Sequence, residues 1–316
     1  MSTYTFKEIP EKTIDGMTMD QLYNSGWAYT RGDIYHQSIL TRVLFDGHKD
    51  ENPRPKYADG TPAHTYFLCE PIVQRYDLEK GECPLTTKRP NAWKSGVKEI
   101  LWIYQMQSNK LSDLHDLGIK YWDEWDIGDG TIGCRYGATV KKHNLMNKLL
   151  DGLKNDPFGR RHIISLWQVD DFSDETGGTT KGLNPCCYET IWSCYRGEDG
   201  QIRLNMMMNQ RSSDYEVSCS INEIQYIALQ LMVARHCGYI PGVFTHVIEN
   251  TQIYDRHVDN VKKILMRDGV DCNPRLILKP GKADFYSFTI DDFELVDYPI
   301  DEIKMVNPQL NFDLGI

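Results

Sequence analysis

Tyr188-Glu189-Thr190-Ile191-Trp192-Ser193-Cys194-Tyr195, then Glu198-Asp199-Gly200, then Ile202-Arg203-Leu204-Asn205-Met206-Met207-Met208 reads as strand, turn and strand. β-Branched and aromatic residues favour the first extended run, and an acidic residue followed by glycine reverses the chain. Chemistry brackets this hairpin. Leu183-Asn184-Pro185-Cys186-Cys187 precedes it, and Asn209-Gln210-Arg211-Ser212-Ser213-Asp214 follows it. Closing the hairpin puts a candidate thiolate nucleophile beside an arginine–serine pair suited to an anion. A cysteine is a useful nucleophile only when its thiolate is populated, and nearby guanidinium charge favours that form. The pairing points to an enzyme acting on a phosphorylated substrate.

Outward from the hairpin, helical and extended patterns mix without a linker, repeat or low-complexity stretch. Towards the C-terminus, Glu223–Cys237 is the clearest helix, apolar at Ile224, Ile227, Leu231 and Ala234 and closed by Gly238. Towards the N-terminus, His162–Val169 reads as a strand. Asn144–Lys154 reads as a helix stopped by Asn155-Asp156-Pro157. Trp93–Gln105 is a helix with a buried face, and Thr65–Tyr76 has strand composition. Residues 1–50 read as an extension plus a helix carrying Ile39, Leu40, Val43 and Leu44, and 51–316 as one catalytic α+β domain.

With 316 residues, the chain can bury a substantial core. Its formal net charge of -10 argues against a duplex-binding face, though a few local arginines suffice for one phosphate. Nine cysteines without paired spacing argue against a disulfide framework, and no metal site is expected. No apolar run approaches the roughly 20 residues that span a bilayer. The opening lacks the regions of a secretory leader, so a reducing cytoplasm is the expected compartment.

Cysteines are most often small buried hydrophobes. Cys186 differs because a proline precedes it, a second cysteine follows it, and strand alternation sends the two to opposite faces. Only one of the pair can face a given pocket. Arg160-Arg161 and Arg211-Ser212 are two compact anion-binding candidates, since planar guanidinium forks match phosphate oxygens. Asn222 precedes the Glu223 helix and reads either as its N-cap or as a reader of a pyrimidine edge. Glu99 lies in an apolar helix, where a carboxylate is either on a solvated face or retained for proton transfer. Tyr136 and Tyr254 are packing aromatics with a hydroxyl to satisfy.

At these residues the chain resembles the thymidylate synthase family. The resemblance runs from about Arg54 to Asp292, through Asp59-Gly60-Thr61-Pro62-Ala63-His64-Thr65, Leu85-Thr86-Thr87-Lys88-Arg89, Lys98-Glu99-Ile100-Leu101-Trp102 and Trp122-Asp123-Glu124-Trp125. It continues through Arg160-Arg161-His162-Ile163, Pro185-Cys186, Gln210-Arg211-Ser212-Ser213-Asp214, Asn222 and Ile253-Tyr254-Asp255-Arg256-His257. Tyr188-Glu189-Thr190 and Asp284–Phe293 look like the branch found in bacilli and some of their phages.

The resemblance implies a mixed sheet flanked by helices, paired back to back with a second copy in a homodimer with shared active sites. It implies that Cys186 attacks C6 of dUMP and that 5,10-methylenetetrahydrofolate delivers the one-carbon unit to C5. Arg54, Arg211 and Ser212 are implied as phosphate ligands, joined by Arg160 and Arg161 from the partner subunit. Asn222 is implied as reader of the pyrimidine, Tyr254 of the ribose, Glu99 as organiser of proton transfer and Tyr136 as a helper in removing the C5 proton. Trp122, Asp214 and Ser218 are implied folate contacts, and the terminal Ile316 the apolar closure of the site.

The chain also departs from the family pattern. Cys187 stands where histidine is usual, Ile191 where glutamine is, and Gln252 replaces a histidine, with Glu249 and Asn250 altered before it. The loop usually written Leu-Gly-x-Pro-Phe-Asn reads Val217-Ser218-Cys219-Ser220-Ile221-Asn222. A dry pocket favours hydride transfer, whereas a water held by the added hydroxyls gives 5-hydroxymethyl-dUMP. Thymidylate formation is the expected reaction, and dUMP hydroxymethylation is the alternative. A catalytically lapsed nucleotide- or RNA-binding relative is the third reading.

Overall fold

The structure, a computed structural model, describes residues 12–172, 174 and 181–315. The expectations for the first eleven residues and for Ile316 fall outside this range. Helices α1 (Met19–Tyr23) and α2 (Arg31–Asp46) each start at a capping box, Thr18 with Gln21 and Thr30 with Asp33. The buried face of α2, with Ile39, Leu40 and Val43, shares a core with Leu68, Ile72, Tyr215 and Ile248.

Three strands follow: β1 (His48–Lys49), β2 (Thr65–Leu68) and β3 (Ile72–Asp77). The single strand expected over 65–76 is therefore two, broken before Ile72 by Pro71, which cannot donate to a ladder. Helix α3 (Trp93–Ile100) passes directly into a π turn at Leu101–Gln105. Next come α4 (Leu111–Asp116), α5 (Gly137–Lys142) and α6 (Leu145–Asn155), the last stopped before Pro157. Strand β4 (His162–Ser165) is shorter than expected, because Val169–Asp171 turns into a 3-10 segment instead of extending the ladder.

The hairpin that follows Pro185 is β5 (Cys187–Arg196) and β6 (Ile202–Gln210). Strand β7 (Ser213–Asp214) leads into α7 (Tyr215–Cys237), and β8 (Ile240–Ile248) and β9 (Thr251–Tyr254) follow. Helix α8 (Val258–Leu265), the ribbon β10 (Arg275–Leu278) and β11 (Phe293–Val296), and α9 (Ile300–Val306) complete the order.

Helix α7 begins eight residues before the expected start. Residues 215–222 contain neither glycine nor proline, so nothing local stops the helix, and the Ser218 hydroxyl donates back to the Asp214 carbonyl at 3.0 Å. Two readings are corrected. The segment Val217–Ile221 is helix rather than loop, and Asn222 lies inside α7 rather than capping it.

The main sheet has the order β3-β8-β6-β5-β4, antiparallel except for the parallel pair β6–β8. Its inner face, including Leu204, Met206, Met208 and Phe244, is buried in the main core with residues of α7. Its outer face carries a register row through Ile163, Ile191, Met207 and Thr245. Ile163 is 48% exposed on that face. A smaller sheet, β1-β2-β9-β7, holds the entry to α7 against Tyr254.

Candidate active site

Hairpin closure builds the first half of the site. The Arg211 backbone N–H donates to the Cys186 carbonyl at 2.9 Å, tying the end of β6 to the start of β5. The Arg211 guanidinium then reaches back along the chain. Its Nε donates to the Pro185 carbonyl at 2.9 Å, and its Nη2 to the Asn184 carbonyl at 2.8 Å and to Cys186 Sγ at 3.5 Å. Burial raises the Cys186 thiol above its ordinary pKa, while Arg211 pulls it down. Cys187 is buried and its thiol is pushed far higher, first by desolvation and then by Cys186 and Glu99. The two cysteines therefore sit in different surroundings, though not through strand alternation: Cys186 precedes β5, and the register of the ladder shifts between Cys187 and Glu189.

Tyr136 closes over the nucleophile. Its hydroxyl accepts the Cys186 backbone N–H at 3.0 Å. Its backbone is strained, at φ 47 and ψ -111, and its ring packs edge-on to Trp122 with centroids 5.2 Å apart. Burial lifts its phenol well above the ordinary value.

Glu99 projects from α3 and is 5% exposed, which removes the solvated-face reading. Desolvation raises its carboxyl pKa, opposed by the Tyr121 hydroxyl, which donates to Oε2, and by Trp122 and Gln225. The Trp122 indole N–H and the Gln225 amide nitrogen make no full hydrogen bond among the described residues. A carboxyl group thus faces polar donors that are themselves unsatisfied, an arrangement that suits mobile protons more than a static ion pair.

Asn222 points from α7 towards the end of β6. Its Oδ1 accepts from Gln210 Nε2 at 3.2 Å and its Nδ2 donates to Gln225 Oε1 at 3.3 Å. Gln210 is held in turn by His246, 2.8 Å from its Oε1. These amide bonds fix the orientation of Asn222, which an edge reader needs.

Asp214 caps α7. Burial and the nearby Glu216 push its carboxyl up to about 8 against the weak pull of the Val217 and Glu216 backbone N–H groups, and neither carboxyl oxygen makes a full hydrogen bond among the described residues. His257 Nδ1 lies 3.8 Å away. Ser218 follows one helical turn on, its hydroxyl engaged by the Asp214 carbonyl. Other residues of the first turns of α7 border a cavity of about 530 Å³ lined by Arg89, Asn91, Glu216, Val217, Ser220 and Ile221, among others. Burial works against the Glu216 carboxylate, but His36 at 2.9 Å and Arg89 at 2.6 Å outweigh it and hold its pKa low.

Tyr254 gathers the remaining elements. Its hydroxyl donates to the Gly315 carbonyl at 3.2 Å, and the C-terminal segment is pinned further by Asp313 on His257 and Asn311 on Asn260. A Cβ at Gly315 would fall 2.5 Å from Ala63, so only glycine lets the tail pass this closely. Burial raises the Tyr254 phenol to about 12, with Asp214 and Cys186 adding to the rise and Arg54 opposing it, so all three lie close enough for their charges to reach it. Arg54 is exposed. Arg160 and Arg161 are also exposed, at the entry to β4, and belong to the rim of the open sheet face rather than to the Cys186 corner.

Residues 34–307 match the family described as thymidylate synthase. This chain belongs to the thymidylate synthase family. Thymidylate synthase of Lactococcus lactis subsp. lactis (strain IL1403) is 46% identical over 289 residues, covering 91% of this chain and 100% of that protein. Thymidylate synthase of Streptococcus pneumoniae (strain 70585) is 45% identical over 290 residues, with 91% and 100% covered. The thermostable thymidylate synthase A from Bacillus subtilis aligns in three dimensions with a TM-score of 0.79 at 35% identity, over 89% of this chain and 98% of that one.

Within the thymidylate synthase fold, the departures fall into separate places. Ile191 lies on the outer sheet face, paired across strands with Ile163 and Met207. Gln252 sits in β9, beside Phe67 and Asp214 in register. The residues that sequence reasoning missed are Tyr121, Gln210 and His246. Tyr121 immediately precedes the Trp122-Asp123-Glu124-Trp125 block, and its link to Glu99 needs the turn after α4.

Proposed function

We propose that this enzyme, a methyltransferase by family, converts dUMP and 5,10-methylenetetrahydrofolate to dTMP and dihydrofolate. The observation that carries the reading is the 3.5 Å contact between Arg211 and Cys186 Sγ, in a corner that also holds Tyr136. Cys186 attacks C6 of dUMP, forming the S–C6 bond while the C5–C6 π pair moves towards the C4 oxygen. Methylenetetrahydrofolate, when bound, supplies the one-carbon unit and then the hydride. Glu99 holds and passes protons near the pyrimidine, and the Tyr136 hydroxyl assists removal of the C5 proton.

Asn222 reads the base, Tyr254 faces the ribose, and Arg54, Arg211 and Ser212 bind the phosphate. Asp214 fits a folate ring, because its buried oxygens make no full hydrogen bond among the described residues and can serve ring donors. Trp122, whose indole faces Glu99 and whose ring packs edge-on to Tyr136, offers its ring to the folate, and Ser218 lies one helical turn after Asp214. Arg160 and Arg161 reach the phosphate of a second copy, whose outer sheet face packs on this one in a homodimer. The partly exposed apolar row through Ile163 supports that packing.

Methylation is favoured over hydroxymethylation because the added Ser218 hydroxyl is already bonded to a helix carbonyl. Incubation with dUMP and methylenetetrahydrofolate tests the reading by its products. Dihydrofolate with dTMP is expected, and tetrahydrofolate with a hydroxymethyl nucleotide would overturn it. Tight nucleotide binding without tritium release from C5-labelled dUMP would instead identify a lapsed enzyme.

A further inference from the structure

Glu99 is a buried carboxyl group with a single full hydrogen bond among the described residues, and its donor is Tyr121. Tyr121 follows α4, precedes Trp122 and is 44% exposed, so it spans from the rim of the site to a buried acid. The other groups facing Glu99 are the Trp122 indole and Gln225, with the Cys187 thiol close enough to feel its charge. None of these is a cation. Burial first, and then the Glu99 charge, pushes the Tyr121 phenol far above its ordinary value, so its hydroxyl remains a donor at every working pH.

A donated hydrogen bond favours the ionised carboxylate, against the desolvation that favours the neutral acid. We propose that Tyr121 is the positioning residue of Glu99: its hydroxyl orients the carboxyl group and keeps its ionised form within reach. The inference rests on Glu99 having the proton-transfer role given above.

The test uses the full chain and the variants Tyr121→Phe, Glu99→Gln and their combination. The Glu99 carboxyl is titrated by infrared difference against Glu99→Gln, a reading that needs no turnover. In Tyr121→Phe it is expected to titrate about one pH unit higher or more, as loss of a bond to a charged group requires. Whichever limb of the pH profile for tritium release vanishes in Glu99→Gln is expected to move up with it. The rate at pH 7 falls about tenfold while KM for dUMP stays within about twofold. Added to Glu99→Gln, the tyrosine change costs nothing more.

An unmoved carboxyl titration overturns the proposal, as does a loss that remains additive on Glu99→Gln. If the unaltered chain releases no tritium yet the carboxyl titration still moves, the hold on Glu99 stands and the dUMP reading falls.

Discussion

At Cys186 and Cys187 two adjacent thiols have opposite expectations. Cys186 lies against Arg211, whereas Cys187 is buried beneath Tyr226, whose hydroxyl donates to the Cys187 carbonyl at 3.3 Å. Cys186→Ala is therefore expected to lower tritium release from C5 of dUMP by at least about a thousandfold. Cys187→Ala leaves release measurable and acts mainly through packing. The reverse pattern would show that the wrong thiol has been assigned. That the pair begins the hairpin was legible in the sequence, because the proline and the extended run after it are local, whereas strand alternation does not apply to Cys186, which precedes β5. The raised carboxyl of Asp214 was not legible, because it depends on burial by distant segments. Its carboxyl is raised to about 8 when folded, against about 4 unfolded, so the native state holds the extra proton between those values. The stability it contributes is full below pH 4 and is lost as the pH rises through 8. Asp214→Asn is expected to flatten that fall, which Tm measured from pH 4 to 9 would show. An unchanged slope would mean that the carboxyl is not neutral in the fold.

Among the elements, α3 and α7 place Glu99, Gln225 and Asn222 against one another, and Gly96 sets their separation. A Cβ there would lie 3.0 Å from Ile224 Cγ2 and 3.3 Å from the Ile221 carbonyl oxygen. Gly96→Val must push α7 away or strain both helices. A loss of about 1–3 kcal/mol is expected, read by urea unfolding, together with a larger loss of activity than of stability. Wild-type stability would show that the helices can separate freely. The central strands and the body of α7 were legible because their periodicity is carried by their own side chains. The early start of α7 was missed, since Asn222 has the composition of a cap. A residue that suits two positions is decided by what surrounds it, here Gln210 and Gln225. The break at Pro71 was misread for a similar reason, because strand composition continues on both sides while the hydrogen-bonding partners change.

For the whole molecule, the open outer face of the main sheet and the exposed Arg160 and Arg161 belong to one argument. Neither arginine side chain makes a hydrogen bond or ion pair among the described residues, although the Arg161 carbonyl accepts the Ile163 N–H at 3.1 Å, and both lead into β4, whose Ile163 is exposed on that face. In the proposed homodimer a two-fold pairing of these faces would offer each arginine pair to the other copy's Cys186 corner, and an isologous contact would do so twice. Arg161→Ala and Cys186→Ala should each be nearly inactive alone. Unfolded together and refolded, half of the dimers are mixed, and each mixed dimer contains one site with a native cysteine and a native borrowed arginine. About a quarter of all sites should then recover activity. If each site used its own arginines, every site in the mixture would carry one defect or the other, and no activity would return. A chain that sediments as a monomer while fully active would remove the need for borrowed arginines altogether.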